Sequence, residues 1–198
     1  MGFHFVWARR TAGAGVLLAL CAPQAKAHLV ETGLGPVADG IAHFALTPED
    51  LIPVLAVAAL TGLRGADHAR RAIVVLPLAW LLGGLVGARF DLPVLDALSW
   101  LPLLALGGLV AADLRLPMAA TMAIAAAVGL FLGSGAATAQ PGAGVRGVIG
   151  IASAVFVTMT LCAASVVAWH EGWQRIAWRA AGSWIAASGL LLLGWSLR

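Results

Sequence analysis

The chain has 198 residues, of which 61% are hydrophobic and 11% charged, with a formal net charge of +3 and a mean hydropathy of +0.95. Soluble domains carry about 25% charged residues, so this composition excludes a water-soluble globular domain, a disordered segment and a nucleic-acid binder, and points to a membrane protein. At about 20 apolar residues per span, the length accommodates roughly six or seven spans and no sizeable soluble domain beside them.

Residues 1–27 have a basic start in Arg9 and Arg10, an apolar run over 12–22 and the small-x-small tripeptide Ala25-Lys26-Ala27. This is the pattern of a cleavable secretory signal, the alternative being an uncleaved first helix. Cys21 follows the bulky Leu20, unlike a lipoprotein cysteine, and with Cys162 it forms no C-x-x-C motif. Cleavage after Ala27 exposes His28 as a new N-terminus, whose α-amine and imidazole together chelate a metal ion in a way an internal histidine cannot match. Nitrogen ligands of this kind suit nickel, copper, cobalt and zinc. Loss of Arg9, Arg10 and Lys26 takes the twelve basic residues to nine, equal to the nine acidic ones, so the surplus charge belongs to the export signal.

Residues 28–47 are expected to form a periplasmic-side segment with one short helix, and 48–198 a six-helix transmembrane domain. In the first of these an otherwise apolar stretch carries Asp39 and His43, followed by Glu49 and Asp50. A helix over residues 36–46 puts Asp39 and His43 at i and i+4 on one face, where the carboxylate can orient the ring while the other ring nitrogen ligates metal. Pro48 ends or restarts the helix, with Thr47 as cap and Glu49 and Asp50 in the following first turn. Those two acids also suit a helix N-terminus on purely electrostatic grounds.

The candidate spans are 48–63, 72–88, 95–112, 117–132, 147–169 and 180–197, and residues 133–144, rich in Gly, Ala and Ser, read as an outer loop. With the mature N-terminus outside, Arg64, Arg70, Arg71, Arg115, Arg175 and Arg179 fall in inner loops and Arg89, Arg146 and Arg198 on the outer side. This asymmetry supports N-out and C-out in a bacterial inner membrane. Trp169, Trp173 and Trp178 fit an interfacial belt, and the many glycines inside the spans predict close helix packing. Asp67 and His68 fall on the inner side, as possible exit ligands. Candidates for a polar path through the bilayer are sparse: Thr158, Met159, Thr160, Cys162 and Ser165 in the fifth span, Met118 and Met122 in the fourth, and Asp96 and Ser99 at the outer start of the third, the methionines reading better as packing residues.

The run Gly40-Ile-Ala-His43-Phe-Ala-Leu-Thr-Pro-Glu49-Asp50, with the signal-like start and the succession of spans, resembles the HupE/UreJ family of small polytopic membrane proteins. That family has a histidine followed by an Asp-His pair at the start of a span. His43 matches the histidine, Glu49 stands where the family has Asp, and Asp50 replaces the second histidine, which shifts the ligand set from nitrogen towards oxygen. The resemblance implies a nickel or cobalt permease associated with hydrogenase or urease maturation proteins.

The expected function is therefore transport or binding of a divalent transition-metal ion, nickel or cobalt before copper, with no permanently bound cofactor. The site would be His28, His43, Asp39, Glu49 and Asp50. No P-loop occurs, so uptake would draw on the metal gradient, a partner or the membrane potential, the last worth about 4.6 kcal/mol per 100 mV for two charges. The alternatives are an accessory membrane protein that binds metal or a partner without transport, and an intramembrane serine protease built on Gly133-Ser134-Gly135, whose nearest later histidine, His170, lies in a loop. The protein is not expected to be an enzyme.

Overall fold

The computed structural model describes residues 32–90, 98–139, 144–169 and 171–197. These form seven α-helices: α1 (Pro36–Leu46), α2 (Pro48–Gly62), α3 (Ala66–Gly87), α4 (Trp100–Ala112), α5 (Met118–Ala139), α6 (Gly144–Ala168) and α7 (Gly172–Ser196), with no strand among the described residues. Four of them, α3, α5 over Met118–Ala136, α6 and α7, are long and apolar enough to cross a membrane, and α1 and α2 qualify together as one span bent by 74°. The apolar helix α4 has 13 residues, about 20 Å at 1.5 Å per residue. The protein is an all-α polytopic membrane bundle. Residues 1–27 and His28 lie outside the described residues.

Every apolar segment read from the sequence contains a helix, but the boundaries move. α3 starts at Ala66 and α7 at Gly172, earlier than hydropathy indicates, because Asp67, Arg70, Arg175 and Arg179 make the first turns polar without opposing helix. α5 continues to Ala139, through residues 133–139 that read as loop. Gly133 there lies directly against the backbone of Trp80 in α3, and in a bilayer a helix is the cheapest way to keep such a segment's amides hydrogen-bonded.

α2 is the axis of the bundle. It packs against all six other helices, and from Pro53 to Leu63 every residue except Leu55 is buried. Its one hydroxyl in that stretch, Thr61, donates to the Val57 carbonyl at 2.8 Å and so stays satisfied inside its own helix. Around it the core is filled by Phe44, Trp80, Leu76, Leu106, Ile151 and Met159. Phe44 and Trp80 meet edge to face, centroids 5.9 Å apart at 87°, a geometry worth about 1 kcal/mol beyond the area it buries.

Small residues bring the helices together. α3 and α5 pack through Gly83, Gly87, Gly129 and Gly133, α4 and α7 through Gly107, Gly182 and Gly189, and α1 and α6 through Gly40, Gly147 and Gly150. With lipid as apolar as leucine, this contact replaces the missing hydrophobic drive between helices.

The turns at one end are tied by charge. Asp113, the C-cap of α4 in left-handed conformation (φ 53°), accepts from Arg64 at the α2–α3 turn and from Arg175 Nε at 2.6 Å in α7. Arg179 Nε donates to the Ala111 carbonyl at 3.0 Å, satisfying the end of α4. Burial raises the Asp113 pKa, but the hydrogen bonds from Arg175 and the charge of Arg64 outweigh it and hold the carboxyl below its usual range. A group depressed in this way stabilises the fold above its unfolded value, near pH 4, and that contribution disappears as pH falls through the folded value.

Two stability predictions follow from this packing. Asn also tolerates the left-handed region, so Asp113→Asn keeps the turn while leaving Arg64 and Arg175 without their carboxylate. It should cost about 3 kcal/mol and flatten the loss of stability as pH falls below about 4, as read by thermal unfolding in detergent. Gly133→Ala drives a methyl group into the Trp80 carbonyl and should cost about 1–3 kcal/mol. Gly108→Ala meets nothing within 4 Å and should be neutral or stabilising by up to about 1 kcal/mol.

Candidate metal site

α1 and α2 part where the sequence places Thr47 and Pro48, with a bend of 74° between them. Pro48 has no N–H to give the preceding turn, and Thr47 is extended at φ −105°, ψ 97°. α2 then restarts with proline at its first position, where the missing N–H costs nothing, and the amides of Asp50 and Leu51 return to the Thr47 carbonyl at 3.1 and 3.0 Å. The break thus joins the C-terminal end of α1, partially negative, to the N-terminal end of α2, partially positive.

Each end contributes one buried ionisable side chain. His43, in the last turn of α1, is 4% exposed, and Asp50, in the first turn of α2, is 8% exposed. His43 Nε2 and Asp50 Oδ2 stand 3.7 Å apart, beyond a good hydrogen bond and close enough for one ion to contact both. Were the chain one continuous helix, a separation of seven residues would put these groups about 10 Å apart along the axis. The 74° bend brings them together.

The other sequence-predicted ligands separate from this pair. Asp39 Oδ1 accepts from the Thr32 amide and hydroxyl, both at 2.6 Å, closing the chain onto the start of α1. The carboxylate drawn up to His43 is therefore Asp50 rather than Asp39, because the bend outweighs the i, i+4 spacing. Glu49 is exposed and lines a groove between α2, α4 and α7. No group of three or more His, Cys, Asp or Glu converges among the described residues, so His43 and Asp50 form a two-residue site, with His28 outside the described residues.

At the opposite end of α2 lies a second histidine. His68 Nδ1 is 3.2 Å from Thr121 Oγ1 in α5, and that hydroxyl donates to the Met118 carbonyl at 2.9 Å. When Thr121 donates to Met118 it can only accept from His68, a pairing that calls for a neutral His68 ring with its proton on Nδ1 and its lone pair on Nε2. Asp67 does not join it: its carboxylate pairs with Arg70 at 3.1 Å on the exposed surface. Spectra of ¹⁵N-histidine-labelled protein with the ring neutral should show His68 protonated at Nδ1, with Thr121→Val releasing that preference. An Nε2-protonated ring in the unmodified protein would contradict the assignment.

Two partnerships were invisible in the sequence. Asp113 reads as a solvated loop acid, yet it gathers residues 49 and 62 positions away. Thr121 is a fully buried hydroxyl in an alanine-rich span, and only the stacking of α3 on α5 sets it beside His68. Ser134, the candidate nucleophile of the protease reading, is buried and donates to the Phe131 carbonyl at 2.8 Å.

No curated protein and no solved structure matches the chain. The family model described as HupE / UreJ protein matches residues 16–192, most of the chain, including the broken first span and every helix around it. The chain belongs to the HupE/UreJ family of membrane proteins.

Proposed function

We propose that the protein takes up a divalent transition-metal ion, nickel or cobalt, across the bacterial inner membrane from the periplasmic side, and that the ion first binds between His43 and Asp50. The observation that carries this reading is the meeting of an imidazole and a carboxylate, both buried, at a break between two half-helices. Membrane transporters build cation sites at such breaks, where carbonyl-bearing helix ends and side chains replace part of the hydration shell. Membership of the HupE/UreJ family supports a nickel- or cobalt-linked role.

An imidazole nitrogen with a carboxylate oxygen is a borderline donor set, suited to nickel and cobalt and poorly suited to Cu(I), which wants sulfur. Water fills the remaining positions, joined by the amine and ring of His28 if the signal is removed before it. The charge distribution suits entry at this end: Asp39, Glu49 and Asp50 cluster within 12 residues, while the opposite turns carry Arg64, Arg70, Arg71, Arg115 and Arg175. Metalloenzyme-maturation proteins are the expected recipients.

One observation favours a binding role without transport. Between Asp50 and Thr61 the central helix carries no polar side chain, and the Thr61 proton is taken by its own backbone. Two measurements separate the readings. Ni(II) binding by the full chain in detergent should weaken at least about 10-fold in His43→Ala and in Asp50→Asn, as read by calorimetry; unchanged affinity in both removes the site. Proteoliposomes holding an inside-negative potential should accumulate nickel with the unmodified protein and not with His43→Ala. Binding without accumulation selects the accessory reading.

A further inference from the structure

Glu49 is left aside by the His43–Asp50 pair, and its surroundings suit another ligand. Its carboxylate makes no hydrogen bond or ion pair among the described residues. It lines a groove of about 400 Å³, open on one side, between the start of α2, the start of α4 and the end of α7. The walls are Ile52, Leu103, Leu191 and Trp195, and besides Glu49 the polar contribution is Ser188, whose hydroxyl donates to the Trp184 carbonyl of its own helix at 3.1 Å.

The groove faces the bilayer. Leu191 and Trp195 are 76% and 73% exposed, and so is the neighbouring Leu190 at 58%, which is the surface a span turns to lipid. A volume of this size falls within the range of about 300–1,000 Å³ typical of small-molecule pockets. A divalent ion would find one carboxylate among hydrocarbon walls and would lose its hydration for little return. The occupant that fits has an apolar body to lie along Ile52, Leu103 and Leu191 and a cationic head to meet Glu49, close to an indole of the kind that marks the membrane interface.

We propose that this groove binds an aminophospholipid, with the primary ammonium headgroup on the Glu49 carboxylate and an acyl chain against the α4–α7 wall. Charge complementarity chooses among lipids. An ammonium donates hydrogen bonds to the carboxylate, a trimethylammonium has none to donate, and an anionic glycerol headgroup is repelled. The lipid would close the side of the bundle where the 13-residue α4 falls short of a bilayer about 30 Å thick. The inference is independent of the metal reading, since neither His43 nor Asp50 lines the groove.

The test uses full-length protein in nanodiscs of equal phosphatidylethanolamine, phosphatidylcholine and phosphatidylglycerol, with chelator present so that no metal competes. Lipids retained after release are counted by native mass spectrometry. The unmodified protein should retain phosphatidylethanolamine at least threefold over phosphatidylglycerol. Glu49→Gln should bring the ratio to that of the mixture, and Ser188→Trp, which fills the groove from its exposed side, should lower phosphatidylethanolamine retention with Glu49 in place. No preference in the unmodified protein overturns the proposal. So does a preference that survives Glu49→Gln.

Discussion

A helix cannot be interrupted in hydrocarbon unless protein surrounds the interruption. Each backbone group left without a partner in a bilayer costs several kcal/mol. At the break the Asp50 and Leu51 amides take the Thr47 carbonyl, and Leu46, Pro48 and Glu49 are exposed while His43 and Asp50 are buried, which places the break at the bundle's edge with α2 running inward from it. The remaining six helices enclose it, and its buried run from Pro53 onward is the least exposed part of the molecule. The glycine contacts serve this enclosure. With side chains at Gly40, Gly150 and Gly133, α1 and α6, or α3 and α5, would stand too far apart to seal the axis.

Enclosure also determines what the break can do. A histidine and an aspartate at the ends of two half-helices are shielded from water, so their interaction with a cation is screened less than it would be on a surface. The opposite end of the bundle uses charge differently. There Asp113 sits between two arginines and Arg179 covers a helix end, so the acids are consumed in holding turns together and the arginines dominate. A divalent ion would thus find carboxylate at one end and guanidinium at the other, an asymmetry that favours capture at the first.

Much of the helix inventory was legible in the sequence because hydropathy, Pro48 and the glycines report directly on spans, breaks and close packing. The α1 range matches because Pro36 and Pro48 bracket it. Starts of α3 and α7 were misplaced because an amphipathic first turn at an interface has low hydropathy yet remains helical. His43 and Asp50 were identifiable as chemistry, but their pairing was not, since it depends on the bend angle at one residue. A spacing argument assumes a straight helix, and on a straight helix Asp39 is the nearer carboxylate. The partnerships of Asp113 and Thr121 are illegible for a related reason: their partners come from other helices, and one sequence carries no record of which turns meet.

The most direct measurement of the central claim is X-ray absorption at the nickel edge of the metal-loaded, full-length protein. The account predicts imidazole scattering in a mixed nitrogen and oxygen shell, reduced by one imidazole in His43→Ala and altered in its oxygen distances in Asp50→Asn. A shell that is the same in all three proteins would contradict it.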